Sequence, residues 1–330
     1  MSLLNIFSSN KEKLDKFLVL EIGLEKVTAA VFDHSQPNTT PQTSEENVSI
    51  KTPKLLGIGR KNIPAVMDLP SVTEEAIEAV SATVKELPQT TVLGVSAEEL
   101  ETSTTIVRYQ RADASSKIDS NEIEQIIEHS GKEKSPTDKK LFFATVTSTL
   151  IDGTLVSNPI GLTGQSLEVS CFNAFKPEQE LAFYSKVLND LDLKLLKIIP
   201  TSYAVARSLI KNGIKDAILI CVGLEHTEVI FVSNAHVVGI KSFDLGSKTL
   251  DFWSSGLEVV LEEFKEHQPW PDAVKIYGES EGQEKIKSEL LTFPWMKKFE
   301  LDHFPKIEVM HYQGEGLEND LGVAALSLEV

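Results

Sequence analysis

The stretch Phe17-Leu18-Val19-Leu20-Glu21-Ile22-Gly23-Leu24-Glu25-Lys26-Val27-Thr28-Ala29-Ala30-Val31-Phe32 decides the architecture, because its pattern returns 200 residues later. The later copy runs Ala217-Ile218-Leu219-Ile220-Cys221-Val222, then Gly223-Leu224-Glu225, then Glu228-Val229-Ile230-Phe231-Val232. Each copy is a run of β-forming residues, a glycine turn and a second run, the pattern of a buried hairpin. Solenoids and propellers repeat every 20 to 50 residues or so, far short of this spacing. The repeat therefore predicts a duplicated half-domain.

Working outward, residues 34–54 are polar and read as a loop before a strand around Leu55-Leu56-Gly57-Ile58-Gly59. A helix is expected over 71–88, with Ser71 and Glu74 in capping-box spacing and Val72, Ala76, Ile77, Val80 and Val84 on one face. Thr91-Val92-Leu93-Gly94-Val95 completes a β-β-β-α-β order, which suits a mixed sheet flanked by helices. Residues 97–163 change character. Strands at 105–109 and 141–146 enclose a helix at 120–129, a small β-α-β module that closes through Ile151-Asp152-Gly153 and the turn-rich 158–164. The chain then reads as a strand at 167–172, helices at 177–191 and 203–211, and the second hairpin. A strand at 235–240, a helix at 250–267, a strand at 273–277 and a terminal helix at 322–328 follow. The expected division is 1–96 plus 164–210 for the first half, 97–163 for the insertion and 211–330 for the second half.

The 330 residues, 41% of them hydrophobic, are enough for about two domains with a sizeable core. With 49 Asp and Glu against 32 Lys and Arg, the formal charge of −17 repels phosphate backbones, so nucleic acid is excluded as a partner class. Cys171 and Cys221 lie inside apolar runs and are too few for a disulfide framework, which fits a reducing cytoplasm. No apolar run reaches the 18 or so residues of a bilayer span. Leu3, Leu4, Ile6 and Phe7, with Lys11, Lys13 and Lys16 behind them, leave two readings open: residues 1–7 touch the inner face of a membrane, or they fold back on the domain. His226, His236, His303 and His311 have no metal-site spacing, and Pro269-Trp270-Pro271 reads as a rigid aromatic turn packed in the core.

Three stretches carry a family resemblance: 17–32, Asn158-Pro159-Ile160-Gly161-Leu162-Thr163-Gly164 running into Leu167-Glu168-Val169, and Thr201-Ser202-Tyr203-Ala204-Val205-Ala206-Arg207 leading to 218–232. In this order they resemble the actin-like ATPase superfamily, in particular the bacterial cell-division FtsA proteins and the PilM proteins of type IV pilus machinery. The resemblance implies two ribonuclease H-like α/β domains. It places the inserted module where relatives make protein contacts, and it allows self-association. It also implies that any nucleotide site would use Glu21, Gly23, Gly223, Thr227 and Gly278.

Departures from the family argue against that site. ATP-binding relatives carry an acid before each turn to orient magnesium, and small residues whose backbone N–H groups cradle phosphate. Here Glu21 keeps a carboxylate, but Cys221 replaces the second acid. Leu24, Leu224, Glu225 and His226 stand where Gly, Ser or Thr are expected, and Glu25 adds negative charge beside the phosphate position. Between Asp251 and Ala273 there is room for one helix, where relatives insert a lid subdomain. The expectation is a scaffold or adaptor of the division machinery without ATP hydrolysis, or of the pilus machinery as runner-up, holding ATP and magnesium weakly if at all. Its partner would be a protein, such as a cationic cytoplasmic tail of a membrane protein docked on a strand edge at 104–109 or 141–147. The competing class is an actin-fold ATPase or kinase using Glu21, Asp244 and Glu228. Each of those three also has an ordinary reading, Glu21 on turn amides, Asp244 in a loop and Glu228 on a solvent face.

Overall fold

The computed structural model describes residues 15–37, 47–48, 50–64, 69–133, 135–278, 280–299, 301–312, 314, 316–318 and 320–330. The expected lipid contact at 1–7, the lysines at 11 and 13, and Glu279 lie outside the described residues. In chain order the elements are β1 (Lys16–Ile22), β2 (Lys26–Pro37), β3 (Asn47–Val48), β4 (Pro53–Asn62), α1 (Leu69–Ser81) and β5 (Thr90–Val95). Next come β6 (Glu101–Gln110), α2 (Ser120–Glu133), β7 (Lys139–Ile151), β8 (Thr154–Val156), β9 (Ser166–Pro177), α3 (Glu178–Asp190), β10 (Lys194–Pro200) and α4 (Thr201–Lys211). The remainder is β11 (Ala217–Val222), β12 (Thr227–Ser233), β13 (His236–Phe243), α5 (Trp253–Glu262), β14 (Ala273–Gly278), α6 (Ser280–Thr292), α7 (Trp295–Lys298), β15 (Lys306–Val309), β16 (His311–Tyr312) and α8 (Leu321–Leu326).

The repeat in the sequence is a repeat in the fold. One five-stranded sheet has the order β10-β5-β1-β2-β4 and the other β15-β14-β11-β12-β13, so the two correspond strand for strand. In each, the hairpin is antiparallel and the next two strands join in parallel. The turns also match: Gly23 N–H donates to Lys26 O at 3.0 Å, and Gly223 N–H to His226 O at 2.9 Å. The apolar runs that predicted hairpins are buried. Phe17, Leu18, Val19 and Leu20 are fully enclosed in the first half, as are Leu219, Ile220 and Phe231 in the second. Burial of each such side chain is worth about 1.5–3 kcal/mol. Trp270 is core, as read from the sequence, stacked on Phe299 at 4.3 Å and edge-on to Phe231 at 5.3 Å. Helix α1 begins at Leu69, so Ser71 lies inside it and not at its cap.

Two compact units emerge: Glu99–Phe183, and a larger one in which the described residues of 15–98 join Tyr184–Val330. The smaller unit corrects the expected β-α-β insertion. Its sheet has four strands in the order β6-β9-β7-β8, and β9 is paired on both sides. The chain therefore leaves this unit near residue 183, not 163. Helix α2 covers the sheet with Ile123, Ile126 and Ile127 against Val169 and Cys171. The turn-rich 158–164 is a structural joint. Gly161 N–H donates to Ile118 O, the buried Arg111 donates to Gly164 O at 3.1 Å, and the Asp152 carboxylate accepts the Ser166 N–H at 2.8 Å.

Candidate functional site

The two glycine turns face one cavity of about 180 Å³ inside the larger unit. Glu21, Gly23, Gly223 and Gly278 all line it, so four of the five residues that the family resemblance points to are brought together. Thr227 is the exception. Its hydroxyl donates to Leu245 O at 2.7 Å and accepts the Trp253 indole N–H at 2.9 Å, and its side chain is fully buried. Both hydrogen-bonding roles are spent on anchoring α5, so Thr227 is a packing residue.

The decisive contact crosses from one turn to the other. The Glu25 carboxylate accepts the backbone N–H of Leu224, and the same oxygen accepts the N–H of Glu225 at 3.2 Å. Two successive turn amides pointing at one anion form the arrangement in which this kind of loop holds phosphate oxygen. Here the anion is the protein's own side chain. A Cβ added to Gly223 would stand 2.8 Å from that oxygen, which places the carboxylate directly over the turn. The sequence set both Glu25 and Glu225 against phosphate. In the structure Glu225 is exposed and pairs with Lys248 at 3.1 Å, while Glu25 fills the seat.

The remaining charges are arranged around Glu21. Burial pushes its carboxyl up to about 7; Lys26 works against that rise, and Asp320 and Glu228 add to it. Lys26 donates to the fully buried Asp320 at 3.1 Å, and Arg60 donates to the other oxygen of Asp320 at 2.7 Å. Glu228, expected on a solvent face, is buried and accepts the Ala97 N–H at 2.7 Å. At the position equivalent to Glu21, Cys221 has its thiol held well above the ordinary range by burial and by the nearby Glu228 and Glu21. The phenol of Tyr277 is raised in the same way. A thiol kept neutral cannot orient the water shell of a magnesium ion as a carboxylate does. Among the described residues no group of three or more His, Cys, Asp or Glu side chains is placed to hold a metal ion.

Gly278 has a φ of +111°, and its Cα packs on the Val222 backbone. Asp244, named with Glu21 and Glu228 for an ATPase, is exposed and accepts the His226 Nδ1–H at 3.2 Å. Ser202, Tyr277 and Asp320, to which sequence reasoning assigned no site role, also line the cavity. The cationic Lys26, directly after the first turn, was the available signal that an acid lay opposite.

No protein-family model and no curated protein sequence matches the chain. Solved structures do. A chain of the PilM–PilN type IV pilus biogenesis complex aligns with a TM-score of 0.60 at 12% identity, covering 94% of this chain and 97% of that one. A Bacteroides thetaiotaomicron protein with an actin-like ATPase fold aligns at 0.49 and 8% identity, covering 95% and 96%. The cytoplasmic domain of EpsL, an inner-membrane component of the Vibrio cholerae type II secretion system, aligns at 0.40 and 8%, covering 95% and 93%. The chain has the actin-like ATPase fold, as the duplicated sheets and the glycine turns require.

Proposed function

We propose that this chain is an actin-fold adaptor that binds a protein segment and does not hydrolyse ATP. The observation that carries the reading is the Glu25 carboxylate seated on the Leu224 and Glu225 amides. A triphosphate entering that seat would have to expel a charge-assisted hydrogen-bonding group and then sit beside it, both costs rising in a low-dielectric cleft. Cys221 supports the reading, because one of the two acids that position magnesium is gone. So does the single helix α5 between β13 and β14, where ATP-binding relatives carry a lid.

The resemblance to a chain of the PilM–PilN complex favours a role in pilus or related assembly over the cell-division role suggested by the element at 158–164. In this reading the partner is the cytoplasmic tail of a membrane protein, and the chain works at the inner face of that membrane. Strand β6 is the docking line. Among the described residues it pairs with β9 on one side, it exposes Ile106 and Tyr109, and an extended peptide adds to such an edge through main-chain hydrogen bonds. Along the alternative line at 141–147, β7 pairs with β9, and β8 meets β7 only at Thr149, Leu150 and Ile151, so β6 is preferred for its exposed apolar side chains.

Calorimetric titration with Mg-ATP, paired with a steady-state turnover assay, tests the nucleotide half of the proposal. Neither binding nor turnover is expected, and micromolar binding with turnover would overturn it. Replacing Ile106 and Tyr109 by Lys should abolish capture of the tail while leaving the thermal midpoint unchanged; undiminished capture would remove β6 from the account.

A further inference from the structure

We propose that the cavity between the two turns binds the ammonium or guanidinium head of an organic cation, received by Glu21, Ser202 and His226. This site is independent of the β6 edge and of the adaptor reading. Five carboxylates line the cavity, those of Glu21, Glu25, Glu228, Glu318 and Asp320, against one lysine, Lys26. Most are already engaged: Glu25 by the Leu224 and Glu225 amides, Glu228 by the Ala97 amide, Glu318 by the Gly316 amide at 3.1 Å, and Asp320 by Lys26 and Arg60. Among the described residues Glu21 has no ion pair of its own; Lys26 and the Thr201 hydroxyl favour its ionised form, and a bound cation would add to both.

Two further polar groups independently point to a ligand rich in N–H donors. Ser202 is 1% exposed and His226 7% exposed, both line the cavity, and among the described residues neither the Ser202 hydroxyl nor the His226 Nε2 has a partner. Unpaired buried polar atoms are costly, about 1–3 kcal/mol each, so a group that satisfies them gains affinity. Because the Asp244 carboxylate can only accept, His226 carries its proton on Nδ1, and a neutral His226 turns an accepting Nε2 toward the cavity. A carboxylate, a hydroxyl and an accepting imidazole match an ammonium or guanidinium head, while Val222, Met310 and Leu321 offer an apolar wall to its stem. An anion meets the wrong sign throughout.

The charge environment adds a pH signature. Glu21 is faced by Lys26 from β2, Glu228 from β12, Cys221 from β11, Tyr277 from β14 and Asp320 ahead of α8, and its carboxyl titrates near 7. A cation binds the ionised form, so affinity rises with pH through that range and binding releases a proton.

The test is calorimetric titration of the full chain with n-butylammonium and n-butylguanidinium chloride, with tetramethylammonium, which has no N–H, as control. The expected result is saturable one-to-one binding of an N–H cation, roughly tenfold or more weaker in Glu21→Gln and in Ser202→Ala. Affinity should increase from about pH 6 to about pH 8 in the parent chain and lose that slope in Glu21→Gln. An unchanged or raised thermal midpoint in Glu21→Gln verifies that the variant is folded. N-acetyl-lysine N-methylamide separates the two sources: its binding assigns the site to a peptide-borne lysine, and its failure beside bound butylammonium assigns it to a free amine. Absence of saturable binding by both N–H cations, undiminished binding to Glu21→Gln, or equal binding of tetramethylammonium would each overturn the proposal.

Discussion

The turn at Gly23 and the turn at Gly223 share sequence, register and internal hydrogen bond, yet they have opposite roles in the cleft. The first projects a carboxylate, Glu25, across the gap; the second offers the amides of Leu224 and Glu225 that receive it. Position for position, Glu21 corresponds to Cys221, Lys26 to His226, and Val27 to Thr227. Even the acids bound after the turns differ, since Asp320 on Lys26 is fully buried while Asp244 on His226 is exposed. A duplicated backbone therefore survives with its chemistry divided, one copy donating what the other accepts. That division engages the amides of the second turn within the chain, while the two sheets keep the same strand order.

Substitutions at paired positions break or sharpen this comparison. The largest effect is expected where the backbone of the second copy is tightest. Gly278→Ala meets Val222 O at 2.3 Å on a backbone with φ of +111°, whereas a Cβ at Gly94, on the equivalent strand, meets the flexible end of Leu326. Thermal denaturation should find about 3 kcal/mol or more lost in Gly278→Ala and about 1 kcal/mol in Gly94→Ala.

Next comes the pH dependence of stability. The folded-state pKa of Glu21 lies above its unfolded value, from 4.5 to about 7, so the folded chain binds the extra proton between those limits. The contribution of Glu21 to stability is then fullest below about pH 4.5 and is lost as pH rises through about 7. Glu21→Gln should remove this slope and stabilise the chain at about pH 8 by on the order of 2–3 kcal/mol, with little change at about pH 4. Cys221 stays neutral across the range, and Cys221→Ser should leave the slope intact.

Thr227→Val, which makes the second copy match Val27 of the first, leaves the Trp253 indole N–H and the Leu245 carbonyl unpaired and should cost about 1–3 kcal/mol. The smallest contrast separates the two glutamates of the repeated tripeptide. Glu25→Ala should cost about 1–2 kcal/mol in denaturant unfolding, and the exposed Glu225→Ala about 0.5 kcal/mol or less.

The duplication was legible because both hairpins are continuous apolar runs broken by the same tripeptide, and such runs have few alternatives to a buried strand pair. The extent of the insertion was not. Residues 166–177 are apolar and alternating, a pattern that is the same whichever sheet the strand joins, and only the pairing of β9 with β6 and β7 assigns it. Within the site, the family resemblance pointed to Glu21 and the three glycines, and the fold brings these four to one cavity. Local pattern misplaced Glu228, whose alternation toward solvent is overridden by the Ala97 amide above it. It also missed the reach of Glu25, because the partner amides lie about 200 residues away and only the paired sheets bring them within hydrogen-bond distance. Thr227 shows the converse case, a residue of the right type whose hydroxyl the core had already taken.

The most direct test of the closed phosphate seat reads the backbone amide resonances of Leu224 and Glu225. Glu25→Ala should move both, because the carboxylate they donate to is removed, and saturating Mg-ATP should leave both unmoved in the parent chain. Amides that shift with Mg-ATP in the parent, or that ignore Glu25→Ala, would contradict the account.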